Sequence, residues 1–291
     1  MSDRIAVVVS RDRSPRAEQN AFHEALLAGL EQRPHFEVIV VPHLYDLFPA
    51  GPAVRRLSAI HGDMIVLAWL YPRSAYWVLD AGGIRGRLGR TSSLGEEEPT
   101  ELELSNSGRG ETPDRTIWCF DLRAEDKPES FLHQVDELAA AKHGPGPESA
   151  AVVTARNGKA EEVQEATRPR WYPVVDMSRC TDCHECLNFC LFGVYGLDAN
   201  GAGFVEQPDA CRPGCPACAR ICPAGAILFP QHSDPAIAGH PMASLQAMKL
   251  DLSQIFSGID PATLASRERA DALGAAEMPS PPKASEVSPP P

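Results

Sequence analysis

The sequence is poor in basic residues and has no long apolar run. Lysine and arginine number 27 against 39 aspartates and glutamates, which gives the 291 residues a formal net charge of −12 at pH 7. A protein that follows nucleic-acid phosphates needs a basic surface, so we expect no nucleic-acid partner. The longest apolar run, residues 64–71, is far shorter than the roughly 20 residues that cross a bilayer, so we expect no membrane span.

Recognisable nucleotide loops and export signals are also missing. The segment after the first predicted strand has no G-x-G-x-x-G, and no G-x-x-x-x-G-K-[ST] occurs in the chain, which argues against a dinucleotide or P-loop site. Met1 leads through Ser-Asp-Arg directly into an apolar strand at residues 5–9, which is unlike a secretory signal. We therefore expect a cytoplasmic protein whose thiols stay reduced.

Cysteine, by contrast, is abundant and clustered. Eight of the nine cysteines fall within residues 180–222. The first run has the spacing C-x2-C-x2-C-x3-C and consists of Cys180, Cys183, Cys186 and Cys190. The second run has one additional residue in its first gap, ends in Cys-Pro, and consists of Cys211, Cys215, Cys218 and Cys222. Thiolates at this spacing wrap the corners of an iron–sulfur cubane from a short loop, and one further ligand comes from elsewhere in the chain.

Residues 171–230 resemble the bacterial-type ferredoxins that hold two [4Fe-4S] clusters. In that family the fourth cysteine of each run ligates the other cluster. The resemblance therefore implies a first cluster on Cys180, Cys183, Cys186 and Cys222. It implies a second cluster on Cys190, Cys211, Cys215 and Cys218. These eight thiolates are the predicted metal and cofactor ligands, and no catalytic residue is predicted.

Two departures from the family pattern concern the second cluster. Leu191 follows Cys190, where the family usually has proline, and three residues separate Cys211 from Cys215. The alternatives to two [4Fe-4S] clusters are a [3Fe-4S] variant, a zinc site and a disulfide framework. Zinc takes one closed set of four ligands, and disulfides need an oxidising compartment. Two interlocked runs fit two clusters better.

Predicted strands and helices alternate over residues 1–145. Apolar runs predict strands at residues 5–9, 36–41, 64–69 and 115–120, with helices between them. This alternation is typical of an open α/β domain with a mostly parallel sheet, flavodoxin-like or chelatase-like, around four core strands. The order of elements faintly resembles the small cobalt chelatases. Those enzymes have a histidine just after the first strand, where this chain has residues 10–13, Ser-Arg-Asp-Arg.

A small ligand in this domain would bind beyond the carboxyl ends of the strands, where open α/β sheets form their crevice. Arg11 and Arg13 would suit a carboxylate or phosphate. Three aromatic residues, Tyr45, Trp69 and Tyr71, would suit a flat ring. The alternative is that all of these are ordinary solvated loop residues.

The remaining organisation is read from composition. We predict a linker at residues 146–170, a small α+β ferredoxin domain at 171–231, a helical extension at 232–274 and a disordered proline-rich tail at 275–291. The extension includes a predicted amphipathic helix at residues 244–256.

These features predict an iron–sulfur electron-transfer protein with an N-terminal docking or ligand-binding domain. Because the chain is acidic, its redox partner is expected to present a basic docking patch. The alternative is an iron–sulfur oxidoreductase or chelatase-like enzyme, whose N-terminal domain binds a small anionic or aromatic substrate or a flavin. The sequence offers no nucleophile–base pair, so an electron carrier or an oxidoreductase subunit fits better than a stand-alone enzyme.

Overall fold

The computed structural model describes residues 5–92, 114–143, 158–240 and 261–277. The predicted helix at 244–256, the tail from 278 onward and the first part of the predicted linker, residues 146–157, lie outside the described residues. Over the described ranges, no helix combines the length and the apolar character needed to cross a membrane.

An open parallel sheet forms the N-terminal half, as predicted. Its strands are β1 (Ile5–Ser10), β2 (Phe36–Val41), β3 (Met64–Ala68), β4 (Arg87–Leu88), β5 (Thr116–Asp121) and β6 (Glu161–Glu162). They lie in the order β4-β5-β3-β1-β2-β6, and every neighbouring pair is parallel. The helices that connect and cover them are α1 (Ala17–Glu31), α2 (Pro52–Ser58), α3 (Pro72–Ala81) and α4 (Pro128–His143).

The central strands form because their side chains are apolar on both faces. All six residues of β1 are buried. Val7 and Val9 pack into one core with Leu26 of α1 and Phe131 of α4. Alternate residues of the same strand belong to the core on the opposite side of the sheet. A parallel strand covered by helices on both faces therefore appears in the sequence as a continuous apolar run.

Two short edge strands were not predicted. β4 and β6 have two residues each, and β6 is the pair Glu161–Glu162, within the predicted linker. Neither pair has an apolar pattern, so only backbone pairing with a neighbour makes it a strand. Glu161 and Glu162 pair with the middle of β2. This part of the predicted linker is thus fastened to the edge of the sheet.

The cysteine-rich half contains two small antiparallel pairs. β7 (Val174–Val175) pairs with β10 (Ile227–Leu228), and β8 (Tyr195–Leu197) pairs with β9 (Gly203–Val205) as a hairpin. Its helices are α5 (Glu185–Phe189), α6 (Ala217–Ile221), α7 (Pro235–Ala238) and α8 (Pro261–Glu277). Two 3₁₀ turns complete the described elements, at Leu44–Asp46 and Pro208–Ala210.

The two halves share one hydrophobic core. Tyr172 and Val174 belong to the same cluster of buried residues as Leu44 and Trp77 of the sheet domain. The guanidinium of Arg73, at the start of α3, donates to the carboxylate of Asp176 at 2.6 Å, and both side chains are about 1% exposed. Arg73 also donates to the carbonyl of Gly225 at 3.0 Å. The cysteine-rich half is therefore packed directly against the sheet domain.

Candidate iron–sulfur site

Four of the predicted ligands line one cavity, which we call the first cavity. They are Cys180, Cys183, Cys186 and Cys222. The cavity contains about 510 Å³ of space not filled by atoms, part of it open to solvent. Cys180 and Cys183 lie in the loop before α5, and Cys186 lies in α5 itself. Cys222 is the residue directly after α6.

The other four predicted ligands line a second cavity of about 310 Å³, counted in the same way. They are Cys190, Cys211, Cys215 and Cys218. Cys190 belongs to the first run of the sequence, yet it lies with the second run. The structure thus brings together the two sets of four that the family resemblance implied.

Each short helix separates a ligand of one cavity from a ligand of the other. Cys186 and Cys190 lie one turn apart, at the beginning and the end of α5, and the Cys190 amide donates to the Cys186 carbonyl at 3.1 Å. Cys218 and Cys222 have the same relation in α6, at 3.2 Å. The spacing of three residues inside each run is therefore what directs the fourth cysteine to the opposite cavity.

The loop around Cys183 has an unusual backbone. Asp182 and His184 have φ values of 50° and 60°, the left-handed region that non-glycine residues seldom occupy. In the second loop the corresponding turn falls on a glycine, Gly214, with a φ of 80°. Strained backbone of this kind is held at sites where a loop must present its groups to a ligand. Near the first cavity, the Ala226 amide donates to the Cys222 sulfur at 3.3 Å.

Several thiols of the two cavities are buried, which disfavours the thiolate. Burial raises the pKa of Cys186 to about 12. Burial also raises the pKa values of Cys211, Cys215 and Cys218. All nine cysteines are free, so no disulfide accounts for their grouping. Only the thiolate binds iron, so loading the site releases protons.

The donor sets fit a polynuclear cluster better than a single ion. Across the described residues, no group of three or more His, Cys, Asp or Glu side chains converges tightly enough to hold one metal ion. The thiols are instead spread around two cavities that are otherwise lined largely by apolar side chains. A cubane needs this spread, because each thiolate binds a different iron corner.

Individual cysteines differ in exposure. Cys183 of the first cavity is exposed, whereas Cys215 and Cys218 of the second are 6% and 9% exposed. The second cavity is nevertheless open at Leu191, which lines it and is 68% exposed. Tyr195 lines both cavities and is itself buried. The ninth cysteine, Cys119, lies in β5 inside the sheet core and away from both cavities.

A third, polar crevice lies where the sequence predicted a ligand, beyond the carboxyl ends of β1 and β2. Arg11 and Arg13 line it, but each already has a carboxylate partner. Arg11 donates to Glu162 at 2.7 Å, and Arg13 donates to Asp46 at 2.8 Å. The two positive charges that were expected to attract an anion are therefore neutralised within the chain.

The three aromatic residues considered for a flat ring do not come together. Tyr45 is fully buried and stacks on Tyr172, with ring centroids 4.3 Å apart. Trp69 packs edge-on against Phe22. Tyr71 lies under the guanidinium of Arg123 at 4.1 Å.

Residues from the end of the cysteine-rich half cover this edge of the sheet. Gln231 contacts the ring of His43 at 3.2 Å, and the Ser74 hydroxyl donates to the Ala238 carbonyl at 2.6 Å. His240 lies edge-on to Tyr71. The chain itself thus occupies part of the sheet edge at which an open α/β sheet binds its ligand, while the polar crevice at the ends of β1 and β2 stays open.

Two arginines bear on the site: sequence reasoning missed Arg269, and it listed Arg73 among the residues after the third strand without giving it a role. Arg73 joins the two halves through Asp176, and Arg269 of α8 lines the second cavity. Their partners are remote in the chain, so no local pattern marks them. For Arg73, the only signal was its place just after a strand, at the sheet edge where we had already collected candidate residues.

Comparison with known proteins gives relatives that match about a quarter of the chain. No known family model matches the chain. The chain is 41% identical over 66 residues to an uncharacterized ferredoxin of Methanocaldococcus jannaschii. That match covers 22% of this chain and 44% of the relative, so the chain spans less than half of that protein's length. It is also 31% identical over 77 residues to the pyruvate synthase subunit PorD of the same organism, covering 26% of this chain and 87% of the subunit.

Proposed function

We propose that this chain, which belongs to the ferredoxin family through its cysteine-rich half, transfers electrons on two [4Fe-4S] clusters. The iron–sulfur character and the electron-transfer role of that half follow from the family. The number of clusters and their ligands are the proposal. The observation that carries it is the division of eight cysteines into two cavities with four thiols each.

Each cluster, when bound, accepts and releases single electrons. The chain's own residues bind the clusters, orient them and shield them from solvent. Cys180, Cys183, Cys186 and Cys222 would ligate the first cluster. Cys190, Cys211, Cys215 and Cys218 would ligate the second. The Ala226 amide donates to the Cys222 sulfur, and such hydrogen bonds stabilise the extra negative charge of a reduced cluster.

The redox partner is proposed to dock at the first cavity, on the loop around Cys183. This loop is exposed and carries two acidic side chains, Asp182 and Glu185. Together with the net charge of −12, they favour a partner with a basic patch, since complementary charge speeds encounter. The PorD relative is named as a subunit of pyruvate synthase, which supports a partner protein without identifying it.

The N-terminal domain is proposed as the domain on which the cysteine-rich half docks and which supports it. Three observations favour this over an anion-binding or flavin-binding enzyme. Arg11 and Arg13 are paired within the chain, the aromatic residues are apart, and residues 231–240 cover part of the sheet edge. The buried contacts across the two halves hold this domain directly beside the cluster sites.

The docking proposal predicts that Glu185→Gln slows electron transfer to a basic acceptor protein. We expect the second-order rate constant for reduction of cytochrome c at low salt to fall by about twofold to fivefold, because a surface charge of the encounter face is lost. Its dependence on ionic strength should also become weaker. Glu24→Gln, at an exposed position of α1, is the matched control and should leave the rate unchanged. Equal rates for Glu185→Gln and the unmodified protein would reject docking at this loop.

A further inference from the structure

Helix α8 lies over the second cavity. Ala265 is fully buried and forms one apolar cluster with Cys215 and Ala217. Phe189 and Ala272 pack against the same cluster. A helix that lies outside the ferredoxin-like stretch of the chain therefore packs against one side of the second cavity.

Two arginines of the cluster loop and of α6 tie this helix down. Arg212, the residue after Cys211, donates to the carbonyls of Ala272 and Leu273 at 3.3 and 3.4 Å. Arg220 of α6 donates to both carboxylate oxygens of Glu268, at 3.0 and 3.1 Å. These contacts come from residues near the two ends of the second run of cysteines. The helix is thus fixed to the segments that supply the ligands of the second cavity.

Arg269 extends from α8 into the wall of this cavity. Its guanidinium donates to the Phe189 carbonyl at 3.0 Å and lies 4.3 Å from the centre of the Phe189 ring. It lines the cavity together with Cys190, Cys215 and Cys218.

We infer, on the basis of the proposed two-cluster function, that Arg269 raises the reduction potential of the second cluster. A fixed positive charge in the wall of a cluster site favours the state that carries the additional electron. The first cavity has the exposed Cys183, and no arginine or lysine is among its lining residues. Electrons therefore enter and leave through the first cluster and are held on the second.

The test is a redox titration of the holoprotein followed by electron paramagnetic resonance, with iron content determined on each sample. In Arg269→Gln we expect the ratio of reduced to oxidised second cluster at a fixed potential to fall about tenfold, which is a shift of roughly 59 mV to more negative values for one electron. The first cluster should not shift. Arg269→Lys retains the charge and should stay close to the unmodified protein.

Arg267→Gln is the matched control, because it removes the same charge from an exposed position of the same helix. An equal shift in Arg267→Gln and Arg269→Gln would mean that only net charge matters and would overturn the inference. So would an Arg269→Gln protein whose second cluster keeps its potential. Loss of the second cluster in either Arg269 variant would assign the helix a structural role and would also overturn it. An unmodified protein without iron would instead reject the proposed function.

Discussion

At the scale of single residues, the most informative feature is the separation of Cys186 from Cys190. They lie one helical turn apart and belong to one run of the sequence, yet they line different cavities. The pairing of a cysteine with a cavity is thus set by its position on a short helix. Neighbours along the chain thus line different cavities, and distant cysteines such as Cys190 and Cys211 line the same one.

This arrangement predicts opposite effects for two neighbouring substitutions. Cys190→Ser should damage the second cluster more than the first, whereas Cys186→Ser should damage the first more than the second. Serine is a poorer ligand for iron than a thiolate, which is the soft donor that iron–sulfur clusters select. Anaerobic purification, iron analysis and electron paramagnetic resonance of each variant provide the measurement. Loss of only the first cluster in Cys190→Ser would contradict the crossed ligand sets.

The grouping of the cysteines into two cavities could be predicted from sequence because the spacing that sets it is local. Short loops and single helical turns keep cysteines that are two or three residues apart in the sequence close together in space. The sequence pattern therefore reports their positions in the folded protein. Arg73 and Arg269 could not be assigned, since each acts through a partner about 80 to 100 residues away. The spacing of arginines along a chain carries no information about such partners.

At the scale of secondary structure, residues 158–170, the described part of the predicted linker, are fixed to the sheet domain. Helix α2 begins after Gly51, which has no side chain to accept its first amide hydrogens. The carboxylate of Glu165 accepts from the amide of Ala53, in the first turn, at 2.9 Å. It also accepts from the amide of Phe48, just before the helix, at 3.0 Å. A residue more than 100 positions later therefore caps the helix, and the same contacts fix this segment to the sheet domain.

We expect Glu165→Ala to lower the free energy of unfolding by about 0.5–2 kcal/mol, the usual cost of removing a helix cap. The control is Glu162→Ala, which removes a pair with Arg11 in which both side chains are more than 40% exposed. Exposed pairs contribute about 0–1 kcal/mol. Urea denaturation under anaerobic conditions compares the two. A loss in Glu165→Ala no larger than that in Glu162→Ala would show that the cap adds nothing.

Elements with a strong apolar pattern were predictable, and elements without one were not. The four core strands each have at least five consecutive residues and lie where the apolar runs placed them. β4 and β6 have two residues each and pair only because a longer strand offers a free edge. Sequence reasoning detects side chains that must be buried, and β6 consists of two exposed glutamates.

At the scale of the whole molecule, the two halves are joined through buried polar contacts as well as apolar ones. Arg73 is among the largest fully buried side chains of the described residues and lies between Asp176 and the Gly225 carbonyl. A buried charge of this kind is stable only with its partner. The contact between the halves is therefore specific, and it places the sheet domain beside the loops that bear the cysteines.

Arg73→Met tests this contact. Removal of one partner leaves the Asp176 carboxylate buried without its strongest donor, so we expect the free energy of unfolding to fall by about 3–5 kcal/mol. Arg87→Met is the control, since its pair with Asp114 is largely exposed and should contribute about 0–1 kcal/mol. Denaturant titrations of both variants give the comparison. A cost for Arg73→Met below about 1 kcal/mol would mean that the halves are held by apolar contacts alone.

The most direct test of the account is an analysis of metal and acid-labile sulfide in the protein purified without oxygen. Two [4Fe-4S] clusters predict about eight iron and about eight sulfide per chain. A value of about four of each would contradict the claim that both cavities hold such a cluster. About one zinc per chain with no sulfide would contradict the iron–sulfur assignment as a whole.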